Sequence, residues 1–154
     1  MNVGEVSYPL TNREFNKHIA SSRMSLGMFG EMLVGADCAD KGYIVLFPHH
    51  PTSKYDMVVD RDGVLIRIQV KVSAKSKLSV NLGVTKKDSD YSGWNSFKAP
   101  LPKKIPKYKS GDFDYLAIVD RTARVVYYVP AEDIDFENPN FFIKSAEAER
   151  YLSF

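Results

Sequence analysis

Three residues with side chains suited to metal-assisted chemistry lie close together in the sequence, and a fourth precedes them. Asp56, Gln69 and Lys71 fall within one short stretch, and Glu31 lies upstream. Carboxylate and amide oxygens can hold Mg²⁺ beside a phosphate, where the ion lowers the pKa of its bound water. A lysine beside the ion can orient or deprotonate that water and stabilise the charge of the phosphorane. These residue types together fit the hydrolysis of a phosphodiester.

A β-hairpin is predicted to bring three of these residues together. Runs of β-branched and aromatic residues predict strands at Tyr55–Asp60 and Val64–Ser73. The dipeptide Asp62-Gly63 between them is a strong signal for a two-residue hairpin turn. In the register set by that turn, Asp56 lies opposite Gln69, and directly opposed residues project to the same side of a sheet.

Alternation along the second strand then separates two faces. Lys71 and Arg67 lie two residues from Gln69 and join it on one face. The opposite face carries only β-branched residues: Ile66, Ile68, Val70 and Val72. The hairpin therefore predicts a polar site on one side and a core on the other.

Glu31 lies in the middle of the main predicted helix. This helix covers Arg23–Lys41, ends before Gly42, and contains Gly27 and Gly30, which favour close packing. Its apolar residues recur near helical spacing: Met24, Met28, Met32, Leu33 and Ala36. A helix packed across the strands would present Glu31 as a second acid.

The remaining elements are predicted from local patterns. A capping box at Thr11 and Glu14 predicts a short helix, and further elements come from apolar runs and turn residues. They are a helix at Asn12–Ala20, strands at Tyr43–Phe47, Tyr115–Asp120 and Val125–Val129, and a helix at Ala146–Leu152. A long stretch from Lys75 to Asp112 remains, and loops of that length tend to be functional.

Charge is segregated along the chain. The formal net charge is only +2, yet residues 61–109 contain twelve basic and three acidic residues. Such a block is either a solvated face or the footprint of a nucleic-acid binder. The candidate DNA contacts are Ser53, Lys54, Lys75, Lys77, Lys86, Lys87, Trp94, Asn95, Lys98, Lys103 and Lys104. For Ser53 and Lys54 an ordinary turn is the alternative, and Trp94 stacks either beside bases or on core residues.

Composition narrows the class of protein. A chain of 154 residues with 44% hydrophobic and 26% charged residues is expected to fold as one domain, residues 1–154. Within it, residues 1–22 form an N-terminal extension and residues 75–112 a basic, DNA-contacting insertion. A single cysteine excludes a disulfide framework, and neither a secretion signal nor a membrane span is visible. A cytoplasmic location is expected.

The segment Ser53–Lys77 resembles the core of the PD-(D/E)XK nucleases, and in particular the group I intron-associated homing endonucleases of that fold. Its tripeptide Gln69-Val70-Lys71 resembles the Q-x-K that this branch carries. The likeness extends to Gly30-Glu31 and to Asp112–Pro130. It implies an α/β, restriction-endonuclease-like fold with a central mixed sheet flanked by helices.

The resemblance also implies residue roles. Glu31 would be the helix acid, Asp56 the principal metal ligand, Gln69 a further ligand and Lys71 the catalytic lysine, while the carbonyl of Val70 would face the metal. The metal would be Mg²⁺, with Mn²⁺ as an alternative. The sequence departs from the wider family where Tyr55 replaces a proline and Gln69 replaces an acid, which lowers the negative charge of the metal site and favours the intron-associated branch.

Three functions are compatible with this sequence. The first is a metal-dependent, site-specific homing endonuclease acting on double-stranded DNA. The second is a Holliday junction resolvase or a restriction or repair nuclease of the same fold, and the third is a catalytically silent DNA-binding protein. Because cleavage of both strands needs two active sites, a homodimer or homotetramer is expected.

Overall fold

The computed structural model describes residues 23–50, 53–73, 78–85 and 104–154. Within these residues, one α-helix, α1 (Arg23–Asp40), is followed by nine strands and two 3₁₀ segments. The strands are β1 (Ile44–Leu46), β2 (Met57–Arg61), β3 (Val64–Ser73), β4 (Ser79–Asn81), β5 (Gly83–Thr85), β6 (Lys104–Pro106), β7 (Tyr115–Asp120), β8 (Val125–Pro130) and β9 (Asn140–Phe142). The 3₁₀ segments are Ala131–Asp133 and Ser145–Tyr151. The predicted helix at Asn12–Ala20 lies outside the described residues.

Five strands form a central mixed sheet in the order β1-β2-β3-β7-β8. All neighbours are antiparallel except β3 and β7, which run parallel with Gln69 beside Leu116 and Lys71 beside Ile118. A parallel pair needs a long crossover, and here residues 74–114 supply it. The sheet confirms the predicted α/β class.

The β2–β3 hairpin has the predicted register. Arg61 pairs with Val64 and Met57 with Ile68. Both turn residues adopt positive φ, 53° at Asp62 and 85° at Gly63, as a two-residue turn matched to the twist of the strands requires.

Helix α1 packs on one face of the sheet through a stripe of small to medium-sized residues. Gly30, Val34 and Cys38 are its buried positions, whereas Met28 and Met32 are 64% and 67% exposed. The methionine spacing that indicated the helix therefore does not mark its buried face. A Cβ at Gly30 would overlap the side chain of Val72, so small residues at this spacing are what let the helix approach β3.

The end of α1 follows the prediction closely. Gly42 adopts φ 82°, and the N–H groups of Gly42 and Tyr43 donate to the carbonyls of Ala39 and Cys38 at 2.9 and 3.1 Å. This is the Schellman arrangement that ends a helix with a glycine.

The opposite face of the sheet supports a second core. Leu116, Ile118 and Val129 of the sheet pack there against side chains from the later segments: Val80, Leu82, Tyr108, Phe113, Ile134, Ile143 and Tyr151. The later segments form two small sheets, β4-β9 and β5-β6, and Val80 of β4 packs in this second core. The stretch interpreted as a long loop thus contains three short strands, and the last predicted helix is a 3₁₀ segment.

Arg67 ties the start of β3 to the chain entering β7. Its guanidinium binds both carboxylate oxygens of Asp114, at 2.7 and 3.1 Å, and the carbonyl of Gly111 at 2.8 Å. The two backbones add reciprocal bonds, from Arg67 N–H to the Asp114 carboxylate and from Asp114 N–H to the Arg67 carbonyl. Arg67 lowers the pKa of the Asp114 carboxyl through these hydrogen bonds. This clamp fixes the parallel pairing of β3 and β7.

Across the described residues, no helix is both long and apolar enough to span a membrane.

Candidate active site

The candidate site lies where β3 extends beyond β2. The last pair of the hairpin joins Met57 and Ile68, so among the described strands Gln69–Ser73 pair only with β7. Val70 turns both of its backbone groups toward the edge that β2 leaves open, since its N–H and its carbonyl each bond a side chain there. The free edge of β3 therefore supplies backbone atoms to the site.

Asp56 sits at this edge in an irregular conformation. Its backbone N–H donates to the carbonyl of Ile68 at 2.9 Å, although Ile68 already pairs with Met57. Two residues thus oppose one residue of β3, which is the geometry of a β-bulge and re-aims a side chain. The predicted regular pairing of Asp56 with Gln69 is wrong for the backbone, yet the two side chains meet.

Three polar groups converge beside Asp56. Its Oδ2 accepts a hydrogen bond from the Val70 N–H at 2.7 Å and another from the Gln69 amide nitrogen. The same nitrogen donates to the Val70 carbonyl at 3.1 Å. Gln69 is only 4% exposed, so a polar side chain has been buried to make these contacts.

This arrangement fits a divalent cation. The Gln69 nitrogen, a positive end of a dipole, lies between two oxygens, Asp56 Oδ2 and the Val70 carbonyl, and Mg²⁺ prefers oxygen ligands. The amide of Gln69 carries its own oxygen on the same carbon, and the Glu31 carboxylate lies within electrostatic reach of Asp56. No three His, Cys, Asp or Glu side chains of the described residues form a metal-binding group, so this donor set combines carboxylate, amide and carbonyl oxygens.

Glu31 approaches the same site from α1. The residue before it, Gly30, lies against Val70 and Val72 at the free edge of β3. The pKa of the Glu31 carboxyl is raised by burial and by the charge of Asp56, and lowered by Lys71. Glu31 thus lies within electrostatic reach of both Asp56 and Lys71.

The pKa of the Asp56 carboxyl is also raised, chiefly by burial. The Val70 N–H and the charges of Lys71 and Lys107 act in the opposite direction. Two carboxylates at one edge repel each other. A bound cation would offset this repulsion and lower both pKa values. Perturbed carboxyls of this kind are typical of functional sites.

Lys71 lies on the polar face of β3, beside residues that the sequence did not identify. Its Nζ is 5.4 Å from the centre of the Tyr108 ring, and the Nζ of Lys107 lies 5.0 Å from the same centre. Lys107 and Tyr108 both lie in the basic block of residues 61–109. Nothing in the local sequence pattern distinguishes them from the other residues of that block. The parallel pairing of β3 with β7 brings the end of the crossover to Lys71.

The structure describes few of the candidate DNA contacts. Ser53 is half-buried and its N–H donates to the His50 carbonyl at 3.2 Å, in a turn that leads to Asp56, while Lys54 is exposed. Lys104 lies in β6. The other candidates lie outside the described residues: Lys75, Lys77, Lys86, Lys87, Trp94, Asn95, Lys98 and Lys103.

Comparison with known proteins gives three results. A family model described as PD-(D/E)XK endonuclease matches residues 22–151. Protein 5.3 of Escherichia phage T7 is 33% identical over 99 residues, which are 64% of this chain and 74% of that protein. The solved structure of I-Ssp6803I, a bacterial homing endonuclease, superposes with a TM-score of 0.64 at 21% identity and covers 80% of this chain and 79% of its own.

Proposed function

Because this chain belongs to the PD-(D/E)XK endonuclease family, we propose that it is a metal-dependent, site-specific endonuclease that hydrolyses phosphodiester bonds in double-stranded DNA. One observation carries the proposal. The Asp56 carboxylate and the Val70 carbonyl converge on the Gln69 amide nitrogen at a free strand edge, and Lys71 and Glu31 lie within electrostatic reach of Asp56. This is an oxygen-rich cation site beside a lysine.

Each residue has a separate part in the proposed reaction. Asp56, Gln69, the Val70 carbonyl and Glu31 would hold Mg²⁺, or Mn²⁺ in its place. When bound, the ion supplies a water of lowered pKa and neutralises charge on the scissile phosphate. Lys71 orients or deprotonates the attacking water and stabilises the charge that develops on the phosphorane. Val70 fixes the Asp56 carboxylate through its N–H, which preorganises the site.

The basic segment supplies the DNA-binding surface in this proposal. Phosphate contacts come from lysines that follow the catalytic strand and from the turn before Asp56; they are Lys54, Lys75, Lys77, Lys86, Lys87, Lys98, Lys103 and Lys104, with Ser53. Trp94 and Asn95 are assigned to the bases. Phosphate contacts position a protein on the duplex, whereas base contacts carry sequence information.

Cleavage of both strands further requires two copies of the site. We assign the two active sites to two subunits of a homodimer or homotetramer, since a symmetric assembly presents one active site to each strand. The outer face of α1 exposes Met28 and Met32, large apolar side chains of the kind enriched at interfaces. Sedimentation of the protein with and without DNA tests this part, and a monomer under both conditions contradicts it.

The proposal is tested with a library of long DNA duplexes, incubated with the protein in Mg²⁺ or in EDTA, with the ends read by sequencing. Discrete, metal-dependent ends at one long motif support a homing-type endonuclease. Cuts at junctions or at short motifs instead indicate a resolvase, restriction or repair nuclease. Tight binding without cuts in either condition overturns the catalytic proposal and leaves a silent DNA-binding protein.

A further inference from the structure

Tyr108 occupies a position between two lysines and the second core. Its ring contacts Phe113 edge-on, with centroids 5.5 Å apart, and the side chain is only 4% exposed. The ammonium groups of Lys71 and Lys107 lie 5.4 and 5.0 Å from the ring centre, within the distance at which a cation is attracted to an aromatic face. Tyr108 thus lies between Lys71 on the polar face of β3 and the second core.

The hydroxyl of Tyr108 is buried, and no well-aligned hydrogen bond to it is formed among the described residues. Leaving a buried hydroxyl without a partner is unfavourable, and such groups are rare in folded proteins. Packing alone would be served equally well by phenylalanine. The hydroxyl therefore needs a role beyond filling the core.

Lys71 is a neighbouring group that can use this hydroxyl. A lysine has a flexible stem and pays side-chain entropy to hold one geometry, and the residue beside Lys71 in the sheet is the apolar Ile118. Burial raises the pKa of the Tyr108 phenol, Lys71 lowers it through its charge and a side-chain hydrogen bond, and the charge of Asp56 raises it. The hydroxyl is thus within electrostatic reach of both residues. The phenol oxygen can accept a hydrogen bond from an ammonium group.

We propose that Tyr108 is a positioning residue, whose ring face and hydroxyl oxygen hold the Lys71 ammonium beside Asp56. This rests on the proposed function, in which Lys71 acts on the attacking water. Tyr108 itself touches neither the DNA nor the metal. It restricts the Lys71 ammonium to the geometry in which the lysine can act on the attacking water.

The first experiment compares two Tyr→Phe variants that each remove one buried hydroxyl. Tyr108→Phe is expected to lower the single-turnover cleavage rate about 10- to 100-fold, the range for residues that orient catalytic groups. Its DNA affinity and its melting temperature are expected not to fall. The control is Tyr128→Phe, on the other face of the sheet, where the hydroxyl binds Asp37 and Cys38; it should lower the melting temperature and leave the cleavage rate of the folded protein unchanged.

The second experiment needs no activity. In metal-free protein, the NMR signal of the Lys71 side chain, assigned by its loss in Lys71→Arg, is expected to shift in Tyr108→Phe and to stay in place in Tyr128→Phe. An unchanged Lys71 signal, or an unchanged cleavage rate in Tyr108→Phe, overturns the inference. Parallel loss of melting temperature and rate in Tyr108→Phe also overturns it, because that result indicates a packing role. If the wild-type protein does not cleave DNA, the proposed function fails, while the NMR comparison still decides whether Tyr108 holds Lys71.

Discussion

The carboxylate of Asp56 accepts a 2.7 Å hydrogen bond from the backbone N–H of Val70. At this point β2 has ended, so a side-chain oxygen takes the place that a carbonyl of the neighbouring strand would have filled. The carboxylate is therefore oriented by the backbone of β3 itself.

Asp56→Asn keeps an oxygen that can accept the Val70 N–H and removes the charge. Cleavage is expected to fall more than about 100-fold, because metal-ion stabilisation of the transition state is worth several kcal/mol. The melting temperature in EDTA should stay the same or rise, since a desolvated charge is gone, and added Mg²⁺ should no longer raise it. Calorimetry with a cleavage assay tests both points, and retained cleavage contradicts the role of Asp56.

The pH dependence of stability follows from the raised pKa of Asp56. Burial makes the folded protein favour the protonated carboxyl, so this residue's contribution is most favourable at low pH. It declines as the pH rises from the ordinary value of 3.8 through the raised pKa in the folded state. The free energy of unfolding of wild type minus that of Asp56→Asn, measured in EDTA by denaturant titration, should fall across this window. A difference that is constant or increases with pH contradicts the assignment.

Lys71→Met removes the ammonium and keeps most of the stem. Single-turnover cleavage is expected to fall about 10²- to 10⁴-fold, the usual range for a general acid or base, with DNA affinity nearly unchanged. Lys41→Met is the matched control, because Lys41 also lies over a tyrosine ring, that of Tyr128 at 4.6 Å, and pairs with Asp37. It should leave cleavage unchanged, so equal losses in the two variants argue against a special role for Lys71.

Gly30→Ala tests the close approach of α1 to β3. The new methyl group overlaps the Val72 side chain, and overpacking of this kind costs about 1 to 3 kcal/mol. Displacement of the helix also moves Glu31, so cleavage should fall as well. Gly27→Ala is the control: a Cβ there meets nothing within 4 Å, and the variant should gain roughly 0.5 to 1 kcal/mol from helix propensity. Equal stability of the two variants in urea titrations would contradict this packing.

Charge reversal at Lys75 and Lys77 tests the proposed phosphate contacts. The double variant should bind DNA more weakly, and the slope of log affinity against log salt should become shallower by about one unit for each lost contact. Fluorescence anisotropy over a range of salt concentrations measures both quantities. An unchanged slope places these lysines away from the DNA.

Local sequence was sufficient to predict the hairpin at the centre of the site. The Asp62-Gly63 turn fixes the register of β2 and β3 through its own backbone geometry, and alternation then separates Gln69 and Lys71 from the β-branched core residues. Both depend on contacts between residues close in sequence, so pattern and turn chemistry determine them. The end of α1 at Gly42 is likewise determined by contacts between residues close in sequence.

Contacts distant in sequence decided the rest. The buried face of α1 follows from how closely Gly30 can approach Val72, and the place of Tyr108 beside Lys71 follows from the parallel pairing of β3 with β7. Each of these depends on burial and close packing between segments joined by long stretches of chain, and hydrophobic periodicity within one segment carries no information about its partner. The sequence by itself therefore determined which residues share a strand face, and only the tertiary structure decided which other segments complete the site around them.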